Sequence, residues 1–457
     1  MMRPQPINIV GAGMAGALLA VLLAKRGFRV ALYDRRPDPR QTVPERGRSI
    51  NLALAARGIR ALESAGVMDQ VRPLLIEMRG RMIHDLTGAT KLLPYGWKPG
   101  EVIYSVGRGA LTQLLVQAAA RYPNVSLHFH QRCLGANLGE NVLRFSDESS
   151  QRTYEVPLAP TIGADGAGSV LRASLAAEGV LTAREEFLDH DYKELTLPPV
   201  QAAGASTPRP ALEVNALHVW PRGGFMLIAL PNTDGSFTAT LFLSRTGEHS
   251  FAALDTPERV QAFFSRKFPD AVPLIPDLIT DFFRNPQGQL GTVHASRWYA
   301  GGQILLLGDA AHAIVPFHGQ GMNAAFEDCT TFAELLERHD DWELLFAEFD
   351  RLRRPNAAAI AQMALENYVE MRDTVRDPKF ERYKALSMEL ERRFPERFIP
   401  RYSMVMFHPE IPYSEALRRG EIQNEILAEL DAAAMQGDTE AERARQLIES
   451  RLTRIGG

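Results

Sequence analysis

The chain has 457 residues, with 51 lysines and arginines against 55 aspartates and glutamates, which gives a formal net charge of −4 at pH 7. This balance provides no electrostatic basis for binding nucleic acid or an anionic membrane surface. Only two cysteines occur, Cys133 and Cys329, which excludes a disulfide framework and a zinc site built from thiolates. The length allows two or three domains with an ample core.

The first predicted elements form a unit of strand, helix and strand. The apolar run at residues 7–10 predicts a strand, residues 14–25 predict a helix, and residues 28–33 predict a second strand that ends at Asp34. Between the first strand and the helix lies Gly11-Ala-Gly-Met-Ala-Gly16, which has the glycine spacing of a dinucleotide-binding turn. We therefore predict that the N–H groups at the start of this helix bind the phosphates of a dinucleotide.

The three glycines and the acidic residue have separate predicted roles. Gly11 allows the tight turn, Gly13 lets the backbone approach a pyrophosphate, and Gly16 lets the helix pack closely on the strand. Asp34 stands where a ribose hydroxyl needs a hydrogen-bond acceptor. A glycine-rich turn without a ligand is the alternative, and the register of strand, helix, strand and acid disfavours it.

The same N-terminal stretch also has features of a targeting segment. No residue from 4 to 24 is charged, so a secretory signal or a membrane helix is the alternative interpretation. The glycine spacing argues against both, and no other uncharged apolar run approaches the roughly 20 residues that span a bilayer. We therefore expect a soluble, cytoplasmic protein.

A second glycine segment follows a predicted short strand at residues 158–162. It reads Gly163-Ala-Asp-Gly166 and leads into a predicted helix. The carboxylate of Asp165 can accept hydrogen bonds from a ribitol chain or position a nicotinamide donor. A plain capping turn is the alternative, because Asp and Gly favour such turns in any case.

In the middle of the chain, residues 215–220, 225–230 and 237–243 predict strands, and residues 231–236 predict the hairpin loop between the last two. We expect this sheet to cover the ring side of a flavin. Aromatic residues in it, such as Phe225 and Phe237, are expected in the core rather than in contact with a ligand.

The third glycine segment follows residues 303–308, which predict a buried parallel strand. Asp309 at its carboxyl end can bind ribitol hydroxyls. A loop at residues 316–323 then leads to a helix predicted at residues 324–337. The start of that helix should point at an isoalloxazine ring and stabilise negative charge at its N1/C2 edge. In this order, the three segments indicate one bound flavin dinucleotide.

Taken together, these features resemble the glutathione-reductase-type flavoprotein fold of the single-component aromatic hydroxylases. Within that class, longer motifs resemble the bacterial type of the kynurenine 3-monooxygenase family. They are Arg46-Gly-Arg-Ser-Ile-Asn-Leu-Ala-Leu54, Met78-Arg-Gly-Arg-Met82, Asn215-Ala-Leu-His-Val-Trp-Pro221, Val315-Pro-Phe-His-Gly-Gln-Gly-Met-Asn323, Met363-Ala-Leu-Glu-Asn-Tyr368 and Arg397-Phe-Ile-Pro-Arg-Tyr-Ser-Met404. The resemblance extends from about Ile7 to about Ile422.

The resemblance implies an α/β fold. Its parts are a discontinuous FAD-binding, Rossmann-like domain at residues 1–75, 100–180 and 290–340, an interleaved β-sheet substrate domain, and a C-terminal helical region that closes the pocket. The substrate domain is expected at residues 76–99 and 181–289, and the helical region at residues 341–457.

The resemblance also implies the reaction, which is 3-hydroxylation of L-kynurenine with O2 through a flavin C4a-hydroperoxide. FAD is the expected cofactor, and NADPH is a transient co-substrate because no second strand-bound glycine fingerprint occurs. Neither nucleic acid nor a membrane is an expected partner, and both a monomer and a dimer remain open. The residues expected at the FAD are Gly11, Gly13, Gly16, Asp34, Arg35, Arg36, Arg108, Asp165, Asp309, Gly321, Met322 and Asn323.

The expected substrate site combines residues from distant segments. Strand alternation in residues 77–83 places Arg79, Arg81 and Ile83 on one face, from which a guanidinium can bind a carboxylate. Paired arginines on an edge strand that face solvent are the alternative. By resemblance, Arg81 and Tyr95 hold the substrate carboxylate.

Ile360, Met363, Asn367 and Met371 form one face of a helix predicted between Pro355 and Asp373. Asn367 on this apolar face needs a partner, which is either neighbouring backbone or, by resemblance, the substrate. Glu370 faces either the substrate ammonium or solvent. Phe317, Met371 and Tyr402 are expected to close the pocket, and His318 and Gln320 to orient the flavin and substrate.

Other functions remain open at this point. A related flavin hydroxylase of a phenolic acid fits the same fold, as does a flavin-dependent halogenase, although the Trp-x-Trp-x-Ile-Pro stretch typical of halogenases does not occur. A non-catalytic flavin or nucleotide sensor is the alternative from another class.

Overall fold

The structure is a computed structural model that describes residues 6–41, 51–201, 208–373, 378–434 and 440–455. Residues 46–50, which begin one of the motifs above, lie outside these ranges. The strands of the described residues are β1 (Ile7–Val10), β2 (Val30–Tyr33), β3 (Asn51–Leu54), β4 (Leu75–Met78), β5 (Gly80–His84), β6 (Thr90–Pro94), β7 (Ile103–Gly107), β8 (Val125–His128), β9 (Gln131–Asn137), β10 (Val142–Asp147), β11 (Thr153–Pro157), β12 (Thr161–Gly163), β13 (Ala183–Leu197), β14 (Leu217–Pro221), β15 (Met226–Pro231), β16 (Phe237–Ser244), β17 (Gln287–Ala295), β18 (Tyr299–Ala300) and β19 (Ile304–Leu306).

The helices of the same residues are α1 (Met14–Lys25), α2 (Ala56–Ala65), α3 (Met68–Val71), α4 (Arg108–Ala120), α5 (Val170–Ala177), α6 (Pro257–Lys267), α7 (Leu278–Arg284), α8 (Asp309–His312), α9 (Gly321–Leu335), α10 (Trp342–Arg372), α11 (Pro378–Arg393), α12 (Arg401–Phe407), α13 (Tyr413–Ala434) and α14 (Glu440–Arg451).

A six-stranded sheet with the order β18-β19-β12-β1-β2-β8 carries the three glycine segments. Its strands are parallel except for β18. The predicted first strand and helix are confirmed, and β2 begins two residues later than predicted. Gly27 (φ 81°) and Phe28 form the turn that follows α1, in which the Phe28 N–H donates to the Leu23 carbonyl. Because these parallel strands run in the same direction, the glycine turns after β1, β12 and β19 lie next to one another at the carboxyl ends of the strands.

The apolar N-terminal stretch is part of this folded unit. Every residue of α1 from Ala17 to Leu23 is fully buried, and the helix packs on α2, α4 and α9. A helix that is apolar all round is expected when it is buried on all sides. In the parts of the chain that the structure describes, no helix combines the length and apolarity needed to cross a membrane.

A seven-stranded mixed sheet with the order β17-β13-β16-β15-β14-β5-β6 forms the second layer. The predicted hairpin is confirmed as β15 and β16, which pair antiparallel. One face of this sheet packs on α6 and α7 and contains Phe237, while Phe225 just before β15 joins the same core. Both aromatic residues therefore lie in the core, as predicted.

The C-terminal third of the described chain is helical. Helix α10 begins at Trp342, well before the predicted start at Pro355, because the Asp341 side chain caps it at the Leu344 N–H and Pro355 is accommodated inside it. Helices α11, α13 and α14 share an apolar cluster that includes Leu390, Ile426 and Ile448. Two three-stranded antiparallel sheets, β3-β7-β4 and β11-β10-β9, complete the described fold.

Candidate active site

A cavity of about 1100 Å³ lies between the glycine turns, the seven-stranded sheet and the C-terminal helices. Most of the residues expected at a cofactor or substrate line it. They are Gly11, Gly13, Asp34, Arg35, Arg36, Arg108, Asp165, Asp309, Gly321, Met322, Arg81, Tyr95, Phe317, His318, Met371 and Tyr402. Five other residues from those predictions, Gly16, Gln320, Asn323, Asn367 and Glu370, are not on its wall.

The glycines of the first turn are required by close backbone contacts. Gly11 has φ 109°, and a side chain there would collide with the Ala164 carbonyl of the second glycine segment. A side chain at Gly16 would collide with the Gly11 carbonyl, which explains why Gly16 acts in packing and is absent from the cavity wall. Gly13 faces open space. The turn can therefore approach a ligand most closely at Gly13.

Asp34 ends β2 next to this turn. Its Oδ2 accepts the Ala12 N–H at 2.8 Å, and Arg36 binds both of its oxygens at 2.7 and 2.9 Å. Burial raises the pKa of Asp34, but Arg36 outweighs burial and the pKa lies below its usual range. The carboxylate is thus ionised and fixes the turn, and its predicted contact with a ribose stays a prediction.

The other two glycine segments bring a carboxylate each. Asp165 Oδ2 accepts the Val170 N–H at 2.8 Å, while its buried Oδ1 has no hydrogen-bond partner among the described residues. Burial raises the pKa of Asp165. Asp309 begins the short helix α8 after β19. Arg172 joins the two segments, since it donates to the carbonyls of Ala167 and Ala310.

Helix α9 begins at Gly321, three residues earlier than predicted. Among the described contacts, the side chain of the N-cap residue Gln320 does not cap its first turn, and Gly321 and Met322 line the cavity. Free N–H groups and the positive end of the helix dipole therefore face the cavity. Asn323 is buried and ties the helix to β3, because its Nδ2 donates to the Ala53 carbonyl at 2.8 Å and its Oδ1 accepts the N–H of the following Ala55 at 2.9 Å. These bonds occupy the side chain of Asn323, and its expected contact with the cofactor stays a prediction.

Arg81 lies on β5, between β14 and β6 rather than at the sheet edge. Its guanidinium donates to Glu370 Oε1 at 2.9 Å and to Asn367 Oδ1 at 3.1 Å, and it lies over the Tyr402 ring at 5.0 Å. The guanidinium is buried, with 9% of the side chain exposed.

The expected alternation through Arg79 is wrong. Residue 79 is the break between β4 and β5, where the chain passes from one sheet to another, and the exposed Arg79 pairs with Glu77 at 2.9 Å. Only Arg81 of the two arginines therefore reaches the cavity.

Asn367 and Glu370 accept hydrogen bonds from Arg81 and lie off the cavity wall. The Asn367 amide also donates to the Phe317 carbonyl at 2.6 Å, so both ends of the amide are bound by protein groups. The predicted buried face of this helix is confirmed. The expected contact of both residues with the substrate stays a prediction, and what the structure shows is their contact with Arg81.

Tyr95 and Tyr402 stack with ring centroids 5.6 Å apart beside Arg81. Burial raises the pKa of Tyr95 well above its usual range and that of Tyr402 to about 12. Both phenols are therefore neutral at physiological pH and able to donate hydrogen bonds.

His318 stacks on Tyr402 at 5.3 Å and lines the cavity. Burial and then the nearby Arg81 and Arg401 lower the pKa of His318 to about 3, so its ring is neutral at physiological pH. Gln320 is fully buried and accepts from the Tyr413 hydroxyl at 2.7 Å. Its Nε2 also donates to the sulfur of Met406, which lines the cavity, at 3.0 Å, while Gln320 itself is not on the cavity wall. The expected orienting role of Gln320 stays a prediction.

The seven-stranded sheet supplies a wall of the cavity, as expected, but sequence reasoning did not name the residues that form it. Alternate residues of β15 and β16 line the cavity, namely Met226, Ile228, Leu230, Thr238, Thr240 and Phe242. Period-two alternation along the predicted strands contained this information. Cys133 also lines the cavity, and no pattern around it in the sequence indicated this.

The residues of this cavity fit an FAD. Within the described ranges, the turn at Gly13 is open, the starts of α1 and α9 carry no side-chain cap, and a buried oxygen of Asp165 has no partner. Backbone N–H groups suit a pyrophosphate, and carboxylates suit ribose and ribitol hydroxyls. Among the residues that the structure describes, no group of three or more His, Cys, Asp or Glu side chains is placed to hold a metal ion.

Comparison with known proteins agrees with this geometry. The family model described as FAD binding domain matches residues 5–364. A kynurenine 3-monooxygenase of Stenotrophomonas maltophilia (strain K279a) is 49% identical over 421 residues, covering 92% of this chain and 91% of the relative. One of Xanthomonas campestris pv. campestris (strain 8004) is 48% identical over 426 residues, covering 93% and 92% of the two chains.

Solved structures show the same fold at low identity. The tetrameric form of 2-methyl-3-hydroxypyridine-5-carboxylic acid oxygenase has a TM-score of 0.64 at 18% identity, covering 82% of this chain and 94% of that one. P. aeruginosa PqsL in complex with 2-aminobenzoylacetate has a TM-score of 0.63 at 20% identity, covering 80% and 96%. The predicted fold class is confirmed, and the chain belongs to the kynurenine 3-monooxygenase family of FAD-binding enzymes.

Proposed function

We propose that this enzyme converts L-kynurenine, NADPH, a proton and O2 into 3-hydroxykynurenine, NADP+ and water. When bound, FAD supplies the transfer of electrons from NADPH to O2, so that one oxygen atom reaches the ring carbon ortho to the amine. The amine makes that carbon nucleophilic, and the protein needs no strong base there. The two kynurenine 3-monooxygenases named above, at 48–49% identity over nearly the whole chain, support this reaction.

The observation that carries the substrate assignment is the buried guanidinium of Arg81 beside Tyr95 and Tyr402. We propose that Arg81 and Tyr95 bind the substrate carboxylate, because a desolvated arginine next to two neutral phenols suits an anionic group. Asn367 and Glu370 orient Arg81. The carboxylate of Glu370 also places negative charge near the substrate ammonium.

Phe317 and Met371 supply apolar contacts for the aryl ring and help to exclude water from the reacting atoms. Phe317 is fixed by stacking on Tyr368 with ring centroids 3.9 Å apart. His318, which is neutral, offers a ring nitrogen for orienting a ligand.

We propose that FAD is held by the turn at Gly11 and Gly13, by Asp34, Arg35 and Arg36 near its ribose, and by the carboxylates of Asp165 and Asp309. Arg108, at the start of α4, and the start of α9 at Gly321 and Met322 complete this set. NADPH is proposed to bind only transiently.

The domain bounds implied by the family also remain a proposal. In it, residues 1–75, 100–180 and 290–340 bind FAD, residues 76–99 and 181–289 form the substrate sheet, and residues 341–457 close the pocket. We further propose a cytoplasmic enzyme, which its two free cysteines support.

The test is to purify the protein, verify bound FAD by its absorption, and measure NADPH oxidation with and without L-kynurenine. We expect marked stimulation and 3-hydroxykynurenine as the product. A set of phenolic acids serves as the comparison. Stimulation and hydroxylation with a phenolic acid but not with L-kynurenine would identify a different hydroxylase, and bound flavin without turnover would indicate a sensor.

A further inference from the structure

The turn after β19 is held by a side chain that lies outside the cavity. Asp328, in the middle of α9, is fully buried, and its Oδ2 accepts the backbone N–H of Gly308 at 3.0 Å. The same oxygen is 2.6 Å from Nε2 of His312. Asp328 therefore contacts one residue before Asp309 and one residue after it, and Asp309 itself lines the cavity.

Asp328 belongs to a buried charge cluster, which consists of Arg57, His312, Glu327, Asp328 and Arg353. Arg353 of α10 contacts Asp328 Oδ1 at 2.6 Å and Glu327 Oε2 at 2.7 Å, and Arg57 of α2 contacts Glu327 Oε1 at 2.5 Å. None of the five residues lines the cavity. Burial raises the pKa of Asp328, but His312 and Arg353 outweigh burial and lower it, so the carboxylate is ionised.

Such a cluster is poorly explained by stability alone. Removing charges from water costs several kcal/mol for each ion, and packed apolar side chains often serve a core equally well. A buried ion that hydrogen-bonds a backbone N–H does, however, fix a geometry. Here the fixed element is the Gly308 turn, which has φ 61° and leads directly into Asp309.

Helices α2 and α9, which the pair Arg57–Glu327 joins, also offer a matched comparison. Arg60 of α2 and Glu334 of α9 also form an ion pair, at 3.6 Å, but both side chains are at least half exposed. This second pair joins the same helices without reaching the Gly308 turn. A variant that breaks the pair Arg60–Glu334 therefore shows how much an ion pair between α2 and α9 affects FAD binding when it makes no contact with the Gly308 turn.

We propose that Asp328 is a positioning residue for the cofactor, which sets the Gly308 turn so that the Asp309 carboxylate meets FAD. The inference rests on the proposed contact of Asp309 with FAD. Asp328 acts through the turn and does not touch the cofactor itself.

The experiment is a double-mutant cycle on FAD affinity, measured by quenching of flavin fluorescence when apoprotein is titrated with FAD. The variants are Asp328→Asn, Asp309→Asn, the double variant, and Glu334→Gln as the control. An asparagine has one acceptor oxygen, so it cannot serve Gly308, His312 and Arg353 together. We expect Asp328→Asn to raise the Kd of FAD about 10-fold, the size of one lost charge-assisted hydrogen bond.

The double variant should bind FAD no more weakly than Asp309→Asn alone, because both changes remove the same contact. The visible absorption bands of bound flavin should shift in Asp328→Asn as they do in Asp309→Asn, and Glu334→Gln should match the wild type in both measurements. Additive losses in the double variant, or an unchanged Kd in Asp328→Asn despite a raised Kd in Asp309→Asn, would overturn the inference. An unchanged Kd in Asp309→Asn would instead remove the proposed contact of Asp309, and the inference with it.

If Asp328→Asn does not fold, His312→Phe replaces it in the cycle. Phenylalanine retains an aromatic ring to stack on Trp298, where His312 now lies at 4.9 Å, but removes the bond to Asp328. We then expect a Kd raised a few-fold and the same lack of additivity with Asp309→Asn. A Kd equal to the wild-type value would overturn the inference.

Discussion

Two parts of the cavity wall are built in different ways. The glycine turns present backbone groups, and they can form only because Gly11 and Gly16 have no side chain. The wall around Arg81 is made of side chains from separate elements, including Tyr402 of α12 and, behind Arg81, Asn367 of α10. The first part therefore tolerates no added atom at Gly11 or Gly16, whereas the second depends on contacts among long side chains.

The largest expected effect is in the backbone-built part. Gly16→Val should lower the free energy of unfolding by about 3 kcal/mol or more, because its Cβ would overlap the Gly11 carbonyl. Denaturant unfolding of the apoprotein measures this. Gly13→Ala is the control, since, its chain neighbours aside, its Cβ meets no atom of the described residues within 4 Å. That variant should unfold like the wild type yet bind FAD more weakly, and equal loss of stability in both would contradict the comparison.

The next effect concerns Arg81. Arg81→Ala should lower kcat/KM for L-kynurenine roughly 30-fold or more, since it removes one partner of a buried charge contact. Steady-state kinetics with 3-hydroxykynurenine detection measures it. Arg79→Ala is the matched control two residues away, because Arg79 is exposed and pairs only with Glu77 among the described contacts. Similar losses in both variants, or weaker FAD binding in Arg81→Ala, would refute the proposed carboxylate site.

A smaller effect is expected at Asn367. Asn367→Leu keeps the volume but removes the contacts with Arg81 Nη2 and the Phe317 carbonyl, so KM should rise up to about 10-fold. The Kd of FAD should stay unchanged. Gln362→Leu on the exposed face of the same helix is the control, since its amide contacts only Glu366. A larger loss than in Arg81→Ala would show that Asn367 touches the substrate directly.

The smallest effect is a pH dependence. His318, with a pKa near 3 when folded, should titrate near 6.5 when unfolded, so the unfolded state gains a proton first as pH falls. The histidine therefore contributes no pH dependence above about pH 6.5 and destabilises the fold progressively between pH 6.5 and 3. His318→Gln should flatten the loss of stability with acid in this window, as measured by urea unfolding at several pH values.

The activity profile gives an independent check on His318. Because the ring is already neutral, the wild type and His318→Gln should show the same pH dependence of kcat/KM between pH 6 and 8. An inflection near pH 6.5 that is present in the wild type and lost in the variant would show that His318 carries a proton during turnover.

The same contrast explains what sequence can predict. The first turn lies within about 20 residues of its partner Asp34, so local spacing predicted β1, α1 and the roles of Gly11 and Gly16. Arg81 and Asn367 are 286 residues apart, and only the family resemblance brought them to one site. Local patterns also could not show that the chain changes sheets at residue 79.

The buried charge cluster had no signal in the sequence. Glu327 and Asp328 lie on a helix whose charged residues are otherwise expected in solvent, and their partners Arg57 and Arg353 come from different helices. Likewise, Gln320 was expected at the cofactor because it lies in a glycine loop, but the start of α9 turns it toward Tyr413. Side-chain direction at the ends of elements depends on packing that the local sequence does not contain.

The thiol of Cys133 in the cavity wall has a consequence for the lifetime of the enzyme. Burial raises its pKa to about 12, and burial also raises the pKa of Cys329 well above its usual range. Peroxides oxidise the thiolate form, which is scarce in both residues at physiological pH. An oxygenase that releases hydrogen peroxide during incomplete turnover would therefore spare its own thiols, and repeated abortive cycles should leave both cysteines free of sulfenic acid.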